Sequence, residues 1–179
     1  MTPWLAEQFD SDRPWNEVVT DLLTVEESIV HDPRGVFYVA NSEMTKPSPS
    51  LLAGATGRIF LGVQIGCAEC HNHPFAPWKQ EDFWGLAACF GRLRHTSKNS
   101  NQLTEAPADD APPAREVTII VPEGAGKAVG TVVPARFLDR TTTPDGTGSV
   151  RGQLAAWITA RDNPFFAKAQ ANRFWARMF

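Results

Sequence analysis

Cys67-Ala68-Glu69-Cys70-His71 is the densest group of reactive side chains in the sequence. Two thiols three positions apart, with an imidazole directly after the second, spell C-x-x-C-H, the attachment pattern of c-type haem. Each thiol can form a thioether with one of the two vinyl groups of a porphyrin. The imidazole that follows can reach the iron as an axial ligand. Cys67 and Cys70 are therefore the candidate attachment points and His71 the candidate proximal ligand. Met44, His31, His95 and Met178 are sixth-ligand candidates by residue type alone, and a five-coordinate iron is also compatible. A porphyrin would need a flat apolar cleft beside the motif.

The same residues allow other chemistry. Cys67, Cys70 and His73 also read C-x-x-C-x-x-H, and His71 or Cys89 could complete a four-ligand zinc or iron site. Such a site needs its ligand atoms to converge on one point and needs no cleft. The plainest alternative is a pair of structural thiols. Three cysteines exclude a complete disulfide framework, and a Cys67–Cys70 bridge would leave Cys89 free. His73 lies too close in the chain to oppose His71 on one iron. Its simplest use is a hydrogen bond that holds the turn before Pro74, or support of the site from behind. Phe75, Trp78, Phe83 and Trp84 could wall an apolar site, but core packing is the commoner use of such rings.

Two further groups invite and fail a motif reading. Gly124-Ala125-Gly126-Lys127 lacks the glycine and hydroxyl residue of a phosphate loop, since Val121 and Ala128 stand in those places. A hairpin turn fits it better. Asp139 and Asp145 lie in a Thr-rich run and read as turn residues.

The elements that must position the motif are mostly helical. Apolar spacing predicts a helix from Trp4 and a second after Pro14, with Asp12 as its cap and Trp15, Val18, Val19, Leu22 and Leu23 on one face. Residues 31–50, broken by prolines and a glycine, read as a loop. A third helix, from about Ser50 to Gly66, delivers the chain to Cys67, so the cysteines are expected at its C-terminal end with His73 near them. Two prolines in four residues keep 71–78 irregular. A fourth helix follows from about Gln80 to Leu93. Residues 96–116 have almost nothing to bury and read as a linker. Short strands are expected at 116–121 and 131–133. A helix is expected at 153–159, and a last one from Pro164 onward, capped by Asp162 and Asn163. The fold class expected is mainly α: a helical domain over 1–95, a linker with a small β element over 96–150, and the start of a second helical piece over 151–179.

Composition narrows the function. Seventeen Lys and Arg against 20 Asp and Glu give a net charge of −3, with no basic stripe, which argues against nucleic acid as a partner. No apolar run reaches the roughly 18 residues of a membrane span. The start, Met1-Thr2-Pro3-Trp4, carries no secretory signal pattern. The last helix is amphipathic and ends on aromatic residues. One face is expected to dock, with part of the aromatic surface of Phe174, Trp175, Met178 and Phe179 left exposed, as in a fragment of a longer chain.

The run from Phe60 to Phe75, with Cys67, Cys70, His71, His73 and Pro74, and then Trp78 and Gln80 to Ala87, resembles the cytochrome-c-associated domain of unknown function expanded in planctomycetes and related bacteria. Pro134 to Asp139 is similar to its connecting segment. Arg151 to Phe179, with Asp162-Asn163-Pro164-Phe165-Phe166 and Asn172-Arg173-Phe174-Trp175-Ala176, resembles the start of its C-terminal partner domain. The resemblance implies an exported bacterial protein in which this chain is one part. It implies an extracytoplasmic home, periplasmic or at the cell surface, where haem thioethers are made. Electron transfer to a redox partner protein is then the leading expectation. The other is a non-catalytic module of a large surface protein with a structural Cys/His metal site.

Overall fold

The computed structural model describes residues 2–26, 31–43, 46–96, 102–105, 118–145 and 148–179. The fold is mainly α, with three two-stranded antiparallel ribbons among the described residues. The N-terminal pair is α1 (Thr2–Asp10) and α2 (Trp15–Thr24). Helix α2 places Val18, Val19, Leu22 and Leu23 in the core. Each such side chain contributes about 1.5–3 kcal/mol when fully buried. Asp12 is not its cap: it takes a positive φ of 54° in the connecting turn, and Pro14 precedes the first helical residue.

Residues 31–50 hold more structure than their prolines suggest. A 3-10 turn at Pro33–Gly35 leads into the short helix α3 (Val36–Val39). Asp32 starts it by accepting the Arg34 N–H at 2.8 Å. Phe37 and Tyr38 are buried there, so their burial outweighs the helix breakers of the segment. A minimal ribbon follows, β1 (Ser42–Glu43) against β2 (Lys46–Pro47).

Helix α4 (Pro49–Thr56) runs into a π-turn at Gly57–Leu61. It stops at Gly62, whose φ of 67° is left-handed. A Cβ at Gly62 would stand 2.8 Å from the Ala169 Cβ, so the helix must turn here for the C-terminal helix to approach. The third helix therefore ends five residues short of the expected Gly66. Cys67 sits instead in a separate 3-10 turn, Gly66–Glu69, and Cys70 directly follows it.

Helix α5 (Gln80–Ala88) buries Phe83, Trp84, Leu86, Ala87 and Ala88. It ends before Leu93, which opens strand β3 (Leu93–Thr96). The partner strand β4 (Gln102–Glu105) comes from the expected linker, and its Leu103 is fully buried. The expected second ribbon forms as β5 (Thr118–Ile120) with β6 (Val132–Pro134) and lies on α5: Arg136 N–H donates to the Gly85 carbonyl at 3.0 Å.

Helix α6 (Val150–Thr159) begins three residues earlier than its apolar spacing predicts, because Ser149 and the Glu105 carboxylate cap it. Helix α7 (Phe166–Met178) follows a turn in which the Asn163 side chain accepts the N–H groups of Phe165 and Phe166. One hydrophobic cluster takes residues from α2, α4, α5, β3 and α6, so residues 150–158 share the core of the N-terminal helices. Among the described residues no helix is long and apolar enough to cross a membrane.

Arg151 is fully buried at the centre of this packing. Its Nε donates to Glu105 at 2.7 Å, and its Nη1 to the carbonyls of Val25 and Leu23 and to the Tyr38 hydroxyl. Tyr38 donates in turn to the Leu23 carbonyl. Burial pushes the Tyr38 hydroxyl up to about 12, against the opposing pull of Arg151.

Candidate functional site

The chain leaves Gly62 and returns beside the helix it has just ended. Gly57 allows this: a Cβ there would meet Ile65 at 3.0 Å and the Val63 carbonyl at 3.3 Å. The 3-10 turn then presents Cys67 and Cys70 to solvent while Ala68 is buried beneath them. Buried Ala68 and Ile65 are the footing, and the two thiols are the exposed edge.

The turn is held from behind by α5. Gln80 and Trp84, one helical turn apart, both donate to the Glu69 carbonyl at 3.0 Å. Gln80 also donates to the Ala125 carbonyl at 2.5 Å, and its backbone N–H to the Asn72 side chain at 3.0 Å. The glycine loop before β6 closes the other side. A Cβ at Gly126 would lie 2.1 Å from the Cys70 carbonyl, and the residue's φ is 64°. Only glycine fits such an approach. The Cys70 thiol faces the Gly124 carbonyl at 3.9 Å.

The two histidines are set to opposite tautomers by their neighbours. His71 Nδ1 lies 2.8 Å from the Asn72 carbonyl, which can only accept. Nδ1 therefore carries the proton, and the Nε2 lone pair is open to solvent. His73 Nδ1 accepts the N–H groups of Phe75 and Ala76 at 3.1 and 3.0 Å. It must be the unprotonated nitrogen, which puts the proton on Nε2. His73 thus holds the turn, aided by its own N–H donating to the Trp78 carbonyl at 2.8 Å. Coordination through its Nε2 would require those two bonds to break.

The segment beyond is fastened by Asp82, which is 2 % exposed. It accepts the Lys79 N–H at 2.8 Å at the start of α5 and pairs with Arg140 at 2.8 Å and Arg136 at 3.4 Å. Arg140 also donates to the Pro77 carbonyl and lies over the Trp78 ring. Asp139 serves its turn as expected, accepting from Thr141, Thr142 and the Trp157 indole. Burial opposes its ionisation, yet these donors hold its pKa below the usual carboxylate value.

Of the four-ligand metal set, Cys89 is not brought to the turn. Its thiol is buried at the far end of α5, directed at the Gly85 carbonyl, and burial pushes its pKa up to about 12. Among the described residues no three of His, Cys, Asp and Glu converge on a point. Three of the sixth-ligand candidates lie on other elements than the turn that carries the motif. His31 is exposed in a turn, His95 lies in β3 opposite Leu103, and Met178 is 75 % exposed at the end of α7. Met44 lies outside the described residues.

Of the four rings proposed as walls, Phe83 is buried yet lines a cleft together with Cys67, Trp84 is a core residue, and Trp78 is half-buried against Phe165. Phe75 is 96 % exposed. A cleft of about 510 Å³ does lie beside the motif, between α4 and Gln64–Glu69. Cys67 lines it, and Cys70 and His71 do not. The donor set thus fits covalent haem, with two free exposed thiols and one open imidazole nitrogen. The cleft lies on the Cys67 side only, and its lining is mixed, with Arg58, Gln64 and Glu69 beside Leu51, Ile65 and Phe83.

Sequence reasoning missed the supports, Gln80, Trp84 and Gly126. The i, i+4 spacing of Gln80 and Trp84 was the readable signal. The approach of Gly126 to Cys70, across more than fifty residues, had none.

Residues 1–95, more than half of the chain, match the model of the PSCyt2 family, a protein of unknown function (DUF1549). The chain belongs to that family. No curated protein and no solved structure matches it.

Proposed function

We propose that this member of the DUF1549 family carries a c-type haem on Cys67 and Cys70, with His71 as axial ligand, and works as an extracytoplasmic electron-transfer module. The reading rests on one observation above the motif itself. His71 Nδ1 already donates to a main-chain carbonyl, which leaves Nε2 free beside two exposed, unbridged thiols. A carbonyl on Nδ1 orients the ring and raises the basicity of the ligating nitrogen.

The residues divide the work. Cys67 and Cys70 each add S–H across one vinyl C=C, sulfur to one carbon and hydrogen to the other. Nothing is oxidised overall and nothing leaves. Gln80, Trp84 and Gly126 fix the turn so that both thiols stay outside the core. His73 keeps the chain after His71 bent and is not itself a ligand. When bound, haem supplies a one-electron couple whose potential the axial imidazole and the exposure of the site set.

Thioether attachment takes place outside the cytoplasm, which is the ground for the location proposed. The planctomycete origin, the association with cytochrome c, and the assignment of 151–179 to the start of a second domain rest on the sequence resemblance. A redox partner protein and the rest of the parent polypeptide are the partners this reading implies.

The test is a pyridine haemochrome spectrum of protein made in a host that matures c-type cytochromes, taken after acid–acetone extraction. One haem per chain, resistant to extraction and with its vinyl groups saturated, is expected. Colour that extracts completely, with intact vinyl groups, would overturn the proposal.

A further inference from the structure

We propose that the groove between α7 and the α1–α2 pair is an interface between two copies of this chain, closed about a two-fold axis; this is independent of the haem reading. The groove has a volume of about 300 Å³. Phe9, Trp15 and Asn16 line one side, and α7 lines the other with Phe166, Gln170 and Phe174. None of the described residues that line it is charged. Phe9 stacks on Trp15 at 5.8 Å, and Gln170, with its amide oxygen turned to the indole, accepts the Trp15 N–H at 2.6 Å. Beyond the groove every residue from 171 to 179 is exposed, with Arg173 reaching back to the Arg58 carbonyl at 2.6 Å. Phe174, Trp175 and Phe179 are 66, 68 and 84 % exposed there, and Phe9 is 53 % exposed across the groove. Helical stability comes mostly from packing an apolar face, which this part of α7 lacks. At about 200 Å² for a fully exposed ring, these four rings leave about 550 Å² of apolar surface per copy. A pair would cover about 1,100 Å² of it, which a polar rim brings into the range of roughly 1,200–2,000 Å² for a stable interface.

Charge decides what fits this surface. Residues 2–24 carry Glu7, Asp10, Asp12, Glu17 and Asp21 against Arg13 alone, whereas α7 carries Lys168, Arg173 and Arg177 and no acidic residue. Arg13 pairs with Glu17 and Asp21 on its own side. Among the described residues no ion pair crosses the groove, and Asp10, Asp12 and Arg177 are exposed and form none. Asp10 and Asp12 stand in the chain between Phe9 and Trp15. Phe166, Gln170, Arg173 and Arg177 recur at i, i+4, i+7 and i+11, so the two arginines continue the groove side of α7. One wall is thus acidic and the other basic, with rings between them. A foreign acidic segment, or an anionic lipid surface, suits α7 and is repelled by the α1–α2 wall. A basic partner meets the reverse conflict. A second copy, turned by a two-fold rotation, sets each α7 against its partner's α1 and α2 and satisfies both walls at once. The rings then meet near the axis, and the charges fix the register.

The experiment is sedimentation velocity of the whole chain at low ionic strength, over about 1–100 μM, which resolves a dimer of micromolar affinity. Wild type should pass from monomer to dimer as concentration rises, and added salt should weaken the pair. Phe174→Ser should weaken it by at least about tenfold. Two charge variants carry the decisive test: Arg177→Glu, and separately Asp10→Lys with Asp12→Asn. Asparagine tolerates the left-handed backbone that Asp12 adopts. Each variant alone should self-associate at least about tenfold more weakly, because both symmetric contacts lose their complementarity. Mixed one to one, they should recover association as a heterodimer. The altered α7 of one then meets the altered wall of the other, and the two native faces meet likewise. Misfolding cannot produce that recovery, and circular dichroism melts check each variant alone. A wild type that stays monomeric over the whole range overturns the proposal and leaves the groove to another occupant. A dimer that all the variants form as tightly as wild type, or a mixture that associates no better than its components, also overturns it.

Discussion

The turn bearing Cys67, Cys70 and His71 and the cluster around Arg151 are built from similar groups, polar side chains and main-chain carbonyls, with opposite results. Around Arg151 nearly every bonding position is used. Glu105, Tyr38 and the carbonyls of Leu23 and Val25 surround the guanidinium, and only Nη2 makes no hydrogen bond, with Glu26 at 4.0 Å. At the turn, Gln80 and Trp84 hold the Glu69 carbonyl while the reactive side chains stay at the surface: two exposed thiols, of which Cys70 makes only a long contact to the Gly124 carbonyl, and His71 Nε2. Polar capacity that is spent inside the protein joins elements. Capacity that is unspent at the surface, on a braced backbone, is available for chemistry. The contrast recurs among the cysteines, since Cys89 is as enclosed as Cys67 and Cys70 are open.

Alkylation should show the largest difference. With its pKa pushed up to about 12, Cys89 is ionised to roughly one part in ten thousand at pH 8. In unmodified folded protein, iodoacetamide followed by peptide mass mapping should label Cys67 and Cys70 and leave Cys89 intact until the protein unfolds. Labelling of Cys89 at the same rate would remove the contrast. Next comes Arg151→Ala, which leaves the largely covered Glu105 and the buried Tyr38 without their partner. It should lower the unfolding free energy by about 3–5 kcal/mol in a denaturant titration; a loss under about 1 kcal/mol would mean the cluster does not join α6 to the N-terminal helices.

A smaller effect is expected from Gly126→Ala. The new methyl cannot stand 2.1 Å from the Cys70 carbonyl, so the loop or the turn must move, at about 1–3 kcal/mol of strain. Its distinguishing sign is a lower yield of attached haem in a maturing host, beyond what the melt accounts for. The smallest effect is the most informative about the turn. Replacing Cys67, Cys70 and His71 together by alanine should change the stability of unmodified protein by no more than about 0.5 kcal/mol, as for exposed side chains that hold nothing together. A larger loss would mean that these side chains brace the fold, as a metal staple would.

Much of the helical frame was legible in the residues. The apolar rows of α2 and α5 and the Asn163-Pro164 start of the last helix announce themselves through periodicity and capping. What stayed hidden depends on contacts distant in sequence. Gly62 ends the third helix because Ala169 must approach it, and no local signal says so. Leu103 looks isolated in a polar run until β3 offers it a partner. Nothing near Arg151 in the sequence announces Glu105 and Tyr38, which bond it in the core. At the site, Cys67, Cys70 and His71 were legible as a set, and His73 as a turn former. The opposite tautomers and the bracing by Gln80 and Trp84 required coordinates. They depend on which neighbour faces each atom.

The most direct measurement is the intact mass of acid-denatured protein purified from a host that matures c-type cytochromes, compared with Cys67→Ala, Cys70→Ala and the double variant. The account predicts a gain of one haem in wild type that survives denaturation and is absent from the double variant. A wild-type mass equal to that of the bare polypeptide, with both thiols still titratable, would contradict it.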